Sequence, residues 1–160
     1  MMLRKDDIAI SAAISFRGAH DEPCPGLDRV PGVLELRMDD VPSVPTDPVE
    51  LAQYRLRQRA IDRQGRRVIP PSEAIANELI VFIRSLDPAE GTVLCQCFAG
   101  VSRSPAAALV LLAHWAGPGR ESEAPEVVRA VRPAAQPHRD LVRFADKAMG
   151  RDGPLIRALG

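Results

Sequence analysis

Cysteine and aromatic residues are scarce in this sequence. The chain has three cysteines in 160 residues, an odd number that leaves at least one thiol unpaired. A count this low argues against a disulfide framework and favours a reducing compartment, so we expect a cytoplasmic protein. Aromatic residues make up only 4% of the chain, so the core should consist mainly of leucine, valine, isoleucine and alanine.

Bulk charge and long apolar segments are also missing. The 21 basic and 21 acidic residues balance, and a neutral chain has no general attraction for nucleic acid or an anionic membrane surface. No apolar run is long enough to span a bilayer. The first residues, MMLRKDDIAIS, lack the apolar segment and cleavage site of a signal peptide. We therefore expect neither a nucleic-acid nor a membrane partner, and the sequence carries no signal for an oligomeric state.

Strand-like and helix-like segments alternate along the chain. Strands are predicted at residues 8–14 (IAISAAI), 33–38 (VLELRM) and 91–97 (GTVLCQC), the last of which is short and apolar, as buried parallel strands are. Helices are predicted at residues 49–61, 72–86 (with Ser72 as N-cap), 103–116, 122–132 and 137–149, before a short terminal piece at 153–160. This order predicts a single α/β domain over residues 1–160, with a mostly parallel sheet flanked by helices and a helical C-terminal third.

The segment CFAGVSRSPAAA, at residues 97–108, joins the third predicted strand to a helix. A loop that enters a helix presents unpaired backbone N–H groups and the positive end of the helix dipole, which favour an anion. Arg103, in the first helical turn, adds a planar fork that can hold two oxygens of a phosphate. The loop residues that can supply phosphate-binding N–H groups are Phe98, Ala99, Gly100, Val101 and Ser102.

Cys97 begins this loop and lies in the same positive field. A helix N-terminus and a nearby arginine both stabilise a thiolate, so the pKa of Cys97 should lie below that of a free thiol. Gly100 allows the backbone to curl around the bound group. The segment therefore predicts a nucleophile next to an oxyanion cradle.

CFAGVSRSPAAA resembles the signature loop of the cysteine-based protein tyrosine phosphatases, and specifically their dual-specificity-like branch. The family pattern is His-Cys, five residues, Arg, and then Ser or Thr. Two further segments, LRMDDV and AVRPAAQPHRDLVRFADKAMGRDG, resemble a group of bacterial phosphatase-like proteins, in which an asparagine stands where this chain has His138. The resemblance covers most of residues 33–153 and implies a central sheet of four to five mostly parallel strands.

The resemblance implies roles for residues of the loop. Cys97 would be the nucleophile that forms a phosphocysteine intermediate. Arg103 would bind the phosphoryl group and stabilise its transition state. Ser104 would hydrogen-bond the thiolate and help it to leave in the second step. Gln96 stands where the family has histidine, so we expect a higher thiol pKa and slower turnover than the family pattern would give.

The general acid must be a carboxylic acid on a loop over the site. Two strands and two helices precede the signature loop, so the acid should lie upstream of it, as in the dual-specificity branch. Asp40 fits the motif of the bacterial group and is favoured, with Asp39 beside it. Asp62 fits better the usual distance between acid and nucleophile in the dual-specificity branch, and all three remain open from the sequence.

The leading hypothesis is a phosphatase that acts on a phosphorylated protein or a small phosphomonoester. The residues between Cys97 and Arg103 are uncharged, which suits phosphotyrosine or another aryl phosphate better than a polyphosphorylated lipid head group. The alternative is a catalytically weak or inactive relative that binds a phosphorylated partner as a module.

A third hypothesis is a sulfur-transfer or arsenate-reducing enzyme with a similar anion loop. Arsenate reduction needs a resolving cysteine, for which Cys24 and Cys95 are the candidates. Cys95 is expected to pack in the core, and Cys24 to lie in a loop. No further ligand cluster accompanies Cys95 and Cys97, so neither a metal nor another cofactor is expected.

Overall fold

A computed structural model describes residues 9–160 and has an α/β fold. Three parallel strands form one sheet in the order β2-β1-β3: β1 (Ile10–Arg17), β2 (Gly32–Arg37) and β3 (Thr92–Gln96). The α/β class is therefore confirmed. The predicted start of the first strand at Ile8 lies outside the described residues, and this strand continues past its predicted end at residue 14.

The sheet of the described residues has three strands, not the four to five that the resemblance implied. The residue pattern itself indicated strands at only three places, and the structure has a strand at each. A short 3-10 turn (Leu27–Arg29) lies between β1 and β2, and two helices lie between β2 and β3. Within residues 9–160, no further segment extends the sheet beyond β2 or β3.

All five predicted helices are present, and the terminal piece forms a sixth. Ser72 caps the helix Glu73–Arg84 as predicted, because its Oγ accepts the N–H of Ile75 at 3.3 Å. The first helix buries no residue, in keeping with its weak apolar face. The helices are α1 (Pro48–Arg63), α2 (Glu73–Arg84), α3 (Arg103–Ala116), α4 (Glu123–Val131), α5 (Arg139–Ala148) and α6 (Pro154–Ala158).

The core lies where α2 packs on β2, α3 packs on β1 and β3, and α5 packs on both α2 and α3. Among the described residues, Phe16 is the only buried aromatic, as the scarcity of aromatic residues predicts. The core therefore depends on close packing of aliphatic side chains. Its largest fully buried members are Ile14, Leu36, Met38, Leu79, Ile80, Ile83, Leu109, Leu141 and Leu155.

Parallel pairing brings the carboxyl ends of the three strands to one edge of the sheet. Gly18 follows β1, the Met38–Asp39–Asp40 segment follows β2, and Cys97 follows β3. The chain reaches β2 on one side of β1 and β3 on the other, so this edge contains a topological switch point. Open α/β sheets bind ligands at such a point.

Asp146 of α5 connects this helix to α6 through a hydrogen bond. Its side chain is buried at 1% exposure, and its Oδ2 accepts the N–H of Leu155 at 3.1 Å. We expect Asp146→Ala to lower the free energy of unfolding by about 1–3 kcal/mol, the cost of leaving a buried N–H unpaired. Urea denaturation measures this effect, and Asp152→Ala, at an exposed aspartate of the same tail, is the control. Equal stability of the two variants would contradict the role of Asp146.

Burial raises the pKa of Asp146, and the N–H groups of Ile156 and Leu155 oppose this rise only in part. A raised carboxyl pKa means that the folded chain holds the proton more tightly than the unfolded chain. Stability from this group is therefore lost as pH rises from the unfolded pKa through the folded one. Asp146→Asn keeps an acceptor without the charge and should remove this contribution to the pH dependence.

Candidate active site

Residues 97–103, named here the anion loop, connect β3 to α3, which begins at Arg103 as predicted. Gly100 has a φ of 66°, a left-handed conformation that favours glycine. Ser102 is the N-cap of α3, but its hydroxyl makes no capping hydrogen bond to the helix. The loop therefore reaches a helix N-terminus whose first N–H groups are not taken up by that side chain.

Cys97 is half-buried, and its Sγ lies 3.2 Å from the Oγ of Ser104. Burial alone would raise the pKa of the Cys97 thiol. The Ser104 hydroxyl, the backbone N–H groups of Ser104 and Gly100, and the charge of Arg103 outweigh burial and hold this pKa below its ordinary value. The sequence-based expectation of an acidic thiol at this position agrees with these contacts.

Cys95, two residues earlier on β3, has the opposite environment. It packs against the core, and burial raises the pKa of its thiol to about 12. At neutral pH Cys95 is a thiol, whereas the contacts of Cys97 favour its thiolate more than those of a free cysteine would. Of this pair, only Cys97 has a lowered thiol pKa.

Ser104→Ala should raise the pH at which Cys97 becomes reactive, because it removes the hydroxyl that stabilises the thiolate. The pH profile of iodoacetamide alkylation measures this midpoint. Ser102→Ala is a matched control, since the hydroxyl of Ser102 donates to Asp40 at 2.6 Å. A profile that moves equally in both serine variants, or in neither, would show that Ser104 does not tune the thiol.

The side chain of Arg103 is buried, with 7% of the residue exposed. Its Nη1 donates to the carbonyl oxygen of Met38 at 2.8 Å, and its buried Nε has no hydrogen-bond partner among the described residues. No carboxylate within residues 9–160 forms an ion pair with it. A buried guanidinium with an unpaired donor is costly, and an oxyanion bound beside it would relieve that cost.

Gln96 is the last residue of β3 and directly precedes Cys97 in the sequence; its side chain hydrogen-bonds to β1. Its Nε2 donates to the Oγ of Ser15, which is its partner on β1 and is buried at 1% exposure. Residue 96 is not among the groups that lower the pKa of Cys97. The acidity of the thiol therefore comes from the loop and α3 rather than from the position where the family has histidine.

Asp40 is the candidate acid that the structure brings to the anion loop. Its Oδ1 accepts the Ser102 hydroxyl at 2.6 Å, and 47% of its side chain is exposed. Asp39 instead uses both carboxylate oxygens for backbone groups, accepting the N–H of Ile69 at 2.7 Å and that of Ala19 at 3.3 Å. Asp39 therefore holds neighbouring loops together and is poorly suited to proton transfer.

Asp62 lies near the end of α1, on a helix that buries no residue. Its side chain is exposed, and within residues 9–160 no hydrogen bond joins that side chain to the anion loop. Residues 48–63, which this chain folds into the surface helix α1, lie between Asp40 and Cys97 and lengthen the spacing of Asp40 from Cys97, so spacing alone favoured Asp62. Of the three aspartates, the structure places only Asp40 in contact with the anion loop.

The segment between α4 and α5 holds the anion loop through hydrogen bonds to its backbone carbonyl groups. No residue pattern in the sequence indicated this contact. The N–H of Gln136 donates to the carbonyl of Val101 at 2.7 Å, and the N–H of His138 donates to that of Ser102 at 3.2 Å. Arg132 donates to the carbonyl of Ala99 at 3.3 Å. The only signal in the sequence was the resemblance of this tail to the bacterial group.

A cavity of about 560 Å³ extends from Cys97 to the loop after β1. Phe98 lies at this cavity with 89% of its surface exposed. Cys24 lines the same cavity, and all three cysteines are free. The other lining residues are Ser15, Phe16, Arg17, His20, Asp21, Glu22, Pro23, Pro25 and Gln96.

The described residues contain no group of three or more histidine, cysteine, aspartate or glutamate side chains that could hold a metal ion. In residues 9–160, no helix combines the length and the apolar composition needed to cross a bilayer. Comparison of the chain with protein-family models, with curated proteins and with solved structures found no match.

Proposed function

We propose that this protein is a phosphatase that hydrolyses phosphomonoesters through a phosphocysteine intermediate on Cys97. One observation carries the proposal: a thiol of lowered pKa lies at a helix N-terminus beside the buried guanidinium of Arg103. Such a site combines a nucleophile with groups that stabilise the negative charge of a transferring phosphoryl group.

In the first step the Cys97 thiolate attacks phosphorus. An S–P bond forms while the ester O–P bond breaks, and the leaving oxygen takes the proton of the Asp40 carboxylic acid. The backbone N–H groups of the anion loop and the Arg103 guanidinium hold the equatorial oxygens throughout. The contact between Asp40 and Ser102 keeps the acid at the edge of the same loop.

In the second step water attacks the phosphocysteine. The Asp40 carboxylate accepts the proton of this water, the S–P bond breaks, and inorganic phosphate leaves. The departing sulfur is again a thiolate, and the Ser104 hydroxyl at 3.2 Å stabilises it as a leaving group. Both groups then return to their starting states.

An aryl phosphate, such as phosphotyrosine, is the substrate class that the site favours. The residues between Cys97 and Arg103 carry no charge, and the exposed ring of Phe98 lies next to the nucleophile. An exposed aromatic ring can contact the ring of such a substrate. Three free cysteines suit a reducing compartment, so we propose that the protein works in the cytoplasm.

Trapping the intermediate tests the proposal. The protein is mixed with p-nitrophenyl phosphate and quenched in a denaturant at alkaline pH, where a phosphocysteine persists, and the peptide that carries Cys97 is examined by mass spectrometry. A phosphoryl group on this peptide, together with release of inorganic phosphate, is the expected result. Phosphate release with no phosphopeptide in the presteady state would rule out the cysteine route, and absence of both would rule out the activity.

A phosphate-binding module without turnover is the second candidate, and the glutamine at position 96 favours it. Such a module needs the cradle but not a reactive thiol. The lowered pKa of Cys97 therefore supports the enzyme over the module. Binding of inorganic phosphate by calorimetry, without hydrolysis of any aryl phosphate, would reverse this preference.

A further inference from the structure

His138 contacts both the segment that carries Asp40 and the anion loop. Its side chain is only 9% exposed, and its Nε2 lies 2.9 Å from the carbonyl oxygen of Val41 and 3.7 Å from the Oδ1 of Asp40. Its backbone N–H donates to the carbonyl of Ser102 at 3.2 Å. One residue therefore links the loop that carries Asp40 to the loop that carries the nucleophile.

The hydrogen bonds of the ring define its tautomer. Nδ1 accepts the N–H of Leu141 at 3.4 Å, as the cap of α5. A neutral imidazole with an accepting Nδ1 carries its hydrogen on Nε2. Nε2–H therefore donates to Val41, the residue next to Asp40, and the ring caps a helix and anchors a loop at once.

We propose that His138 is a positioning residue that holds Asp40 over the anion loop; this inference rests on the proposed function. The Asp40 side chain is 47% exposed, and its hydrogen bond to Ser102 fixes it from one side only. The bond from His138 to Val41 fixes the backbone on the other side. Proton transfer requires the acid within hydrogen-bond reach of the leaving oxygen, so a small displacement of this loop reduces the rate.

Two substitutions separate capping from positioning. His138→Asn retains a side-chain oxygen that can accept the N–H of Leu141, and asparagine is among the preferred N-caps. Its side chain is too short to reach Val41. His138→Gln places an amide N–H near the former Nε2 and can reach Val41, but it is a poor cap. His138→Asn thus keeps the cap of α5 and loses the hydrogen bond to Val41. His138→Gln keeps the hydrogen bond to Val41 and loses the cap.

The assay compares phenyl phosphate with p-nitrophenyl phosphate, because p-nitrophenolate leaves with little need of a proton. The quantity compared is kcat/KM, which reports only the first step, before Asp40 acts as a base on water. For phenyl phosphate we expect His138→Asn to lower kcat/KM by ~10-fold or more, part of the 10²–10⁴-fold that general acid catalysis contributes, and His138→Gln to stay within ~3-fold of the wild type. For p-nitrophenyl phosphate the kcat/KM of both variants should stay within ~3-fold of the wild type. Loss of activity in His138→Gln with a fully active His138→Asn would overturn the proposal in favour of capping alone.

A double-mutant cycle with Asp40→Asn shows whether His138 acts through the acid. If it does, the double variant is no slower on phenyl phosphate than Asp40→Asn alone, whereas independent effects multiply. Multiplying effects, or a wild-type rate in His138→Asn, overturn the inference while leaving the phosphatase proposal intact. A wild type that releases no phosphate from either ester overturns both.

Two controls accompany the cycle. His114→Asn changes a histidine in the last turn of α3, at the opposite end of that helix from Arg103, and should not alter either rate. Alkylation of Cys97 by iodoacetamide should keep its pH profile in both His138 variants, because the groups that lower this pKa are Ser104, Gly100 and Arg103. A shifted alkylation profile would show that His138 acts on the nucleophile instead, and would overturn the positioning role.

Discussion

Cys97→Ser should abolish phosphate release from p-nitrophenyl phosphate, with a fall in kcat on the order of 10⁴-fold or more, the scale expected for losing a catalytic nucleophile. The loop contacts that lower the pKa of Cys97 cannot make a serine hydroxyl ionise at neutral pH. The loop N–H groups and Arg103 remain, so the variant should still bind inorganic phosphate. Steady-state kinetics and calorimetry on the same preparation separate chemistry from binding.

Cys95→Ser is the matched control for this experiment. It makes the same exchange two residues earlier, at a thiol whose pKa burial raises to about 12. We expect it to keep most of the activity and to lose some stability, because Cys95 packs against the core. If Cys95→Ser and Cys97→Ser fell equally in kcat while both stayed folded by circular dichroism, Cys97 would not be the nucleophile.

The parts of the fold that depend on local sequence were predictable. Ser72 precedes an apolar stripe of helical period and caps α2, and the short apolar segment before Cys97 forms β3. The number of strands was predicted wrongly. The expectation of four to five strands came from the resemblance rather than from any residue pattern in this chain. Which segments pair in a sheet depends on contacts between distant residues, and those leave little trace in a short window of sequence.

The candidate site divides in the same way. Cys97, Ser104 and Arg103 lie within one strand–loop–helix unit, so their proximity followed from local geometry. The choice between Asp39 and Asp40 could not be made from local geometry, because adjacent aspartates differ only in which tertiary partners they contact. His138 follows the anion loop by more than thirty residues. Its contact with Val41 exists only once α5 has packed into place.

Arg103→Lys should lower kcat/KM on the order of 10²-fold or more, the range for losing one well-placed donor to a developing oxyanion. Lysine keeps the positive charge but loses the planar pair of N–H groups that can hold two phosphate oxygens. It also cannot both reach a bound phosphoryl group and retain the bond that Nη1 of Arg103 makes to Met38 at 2.8 Å. Affinity for inorganic phosphate should fall together with turnover.

Arg132→Lys is the matched control, because Arg132 contacts the same loop through the carbonyl of Ala99 and is exposed. A lysine ammonium can donate to a single carbonyl oxygen, so this variant should keep nearly all of the wild-type kcat/KM. Comparing Arg103→Lys with Arg132→Lys isolates the effect of the paired N–H groups of the Arg103 guanidinium, since both variants preserve charge and both lie at the anion loop. Near-wild-type turnover in Arg103→Lys would mean that the site needs only a positive charge, and a large loss in Arg132→Lys as well would attribute the effect to loop structure.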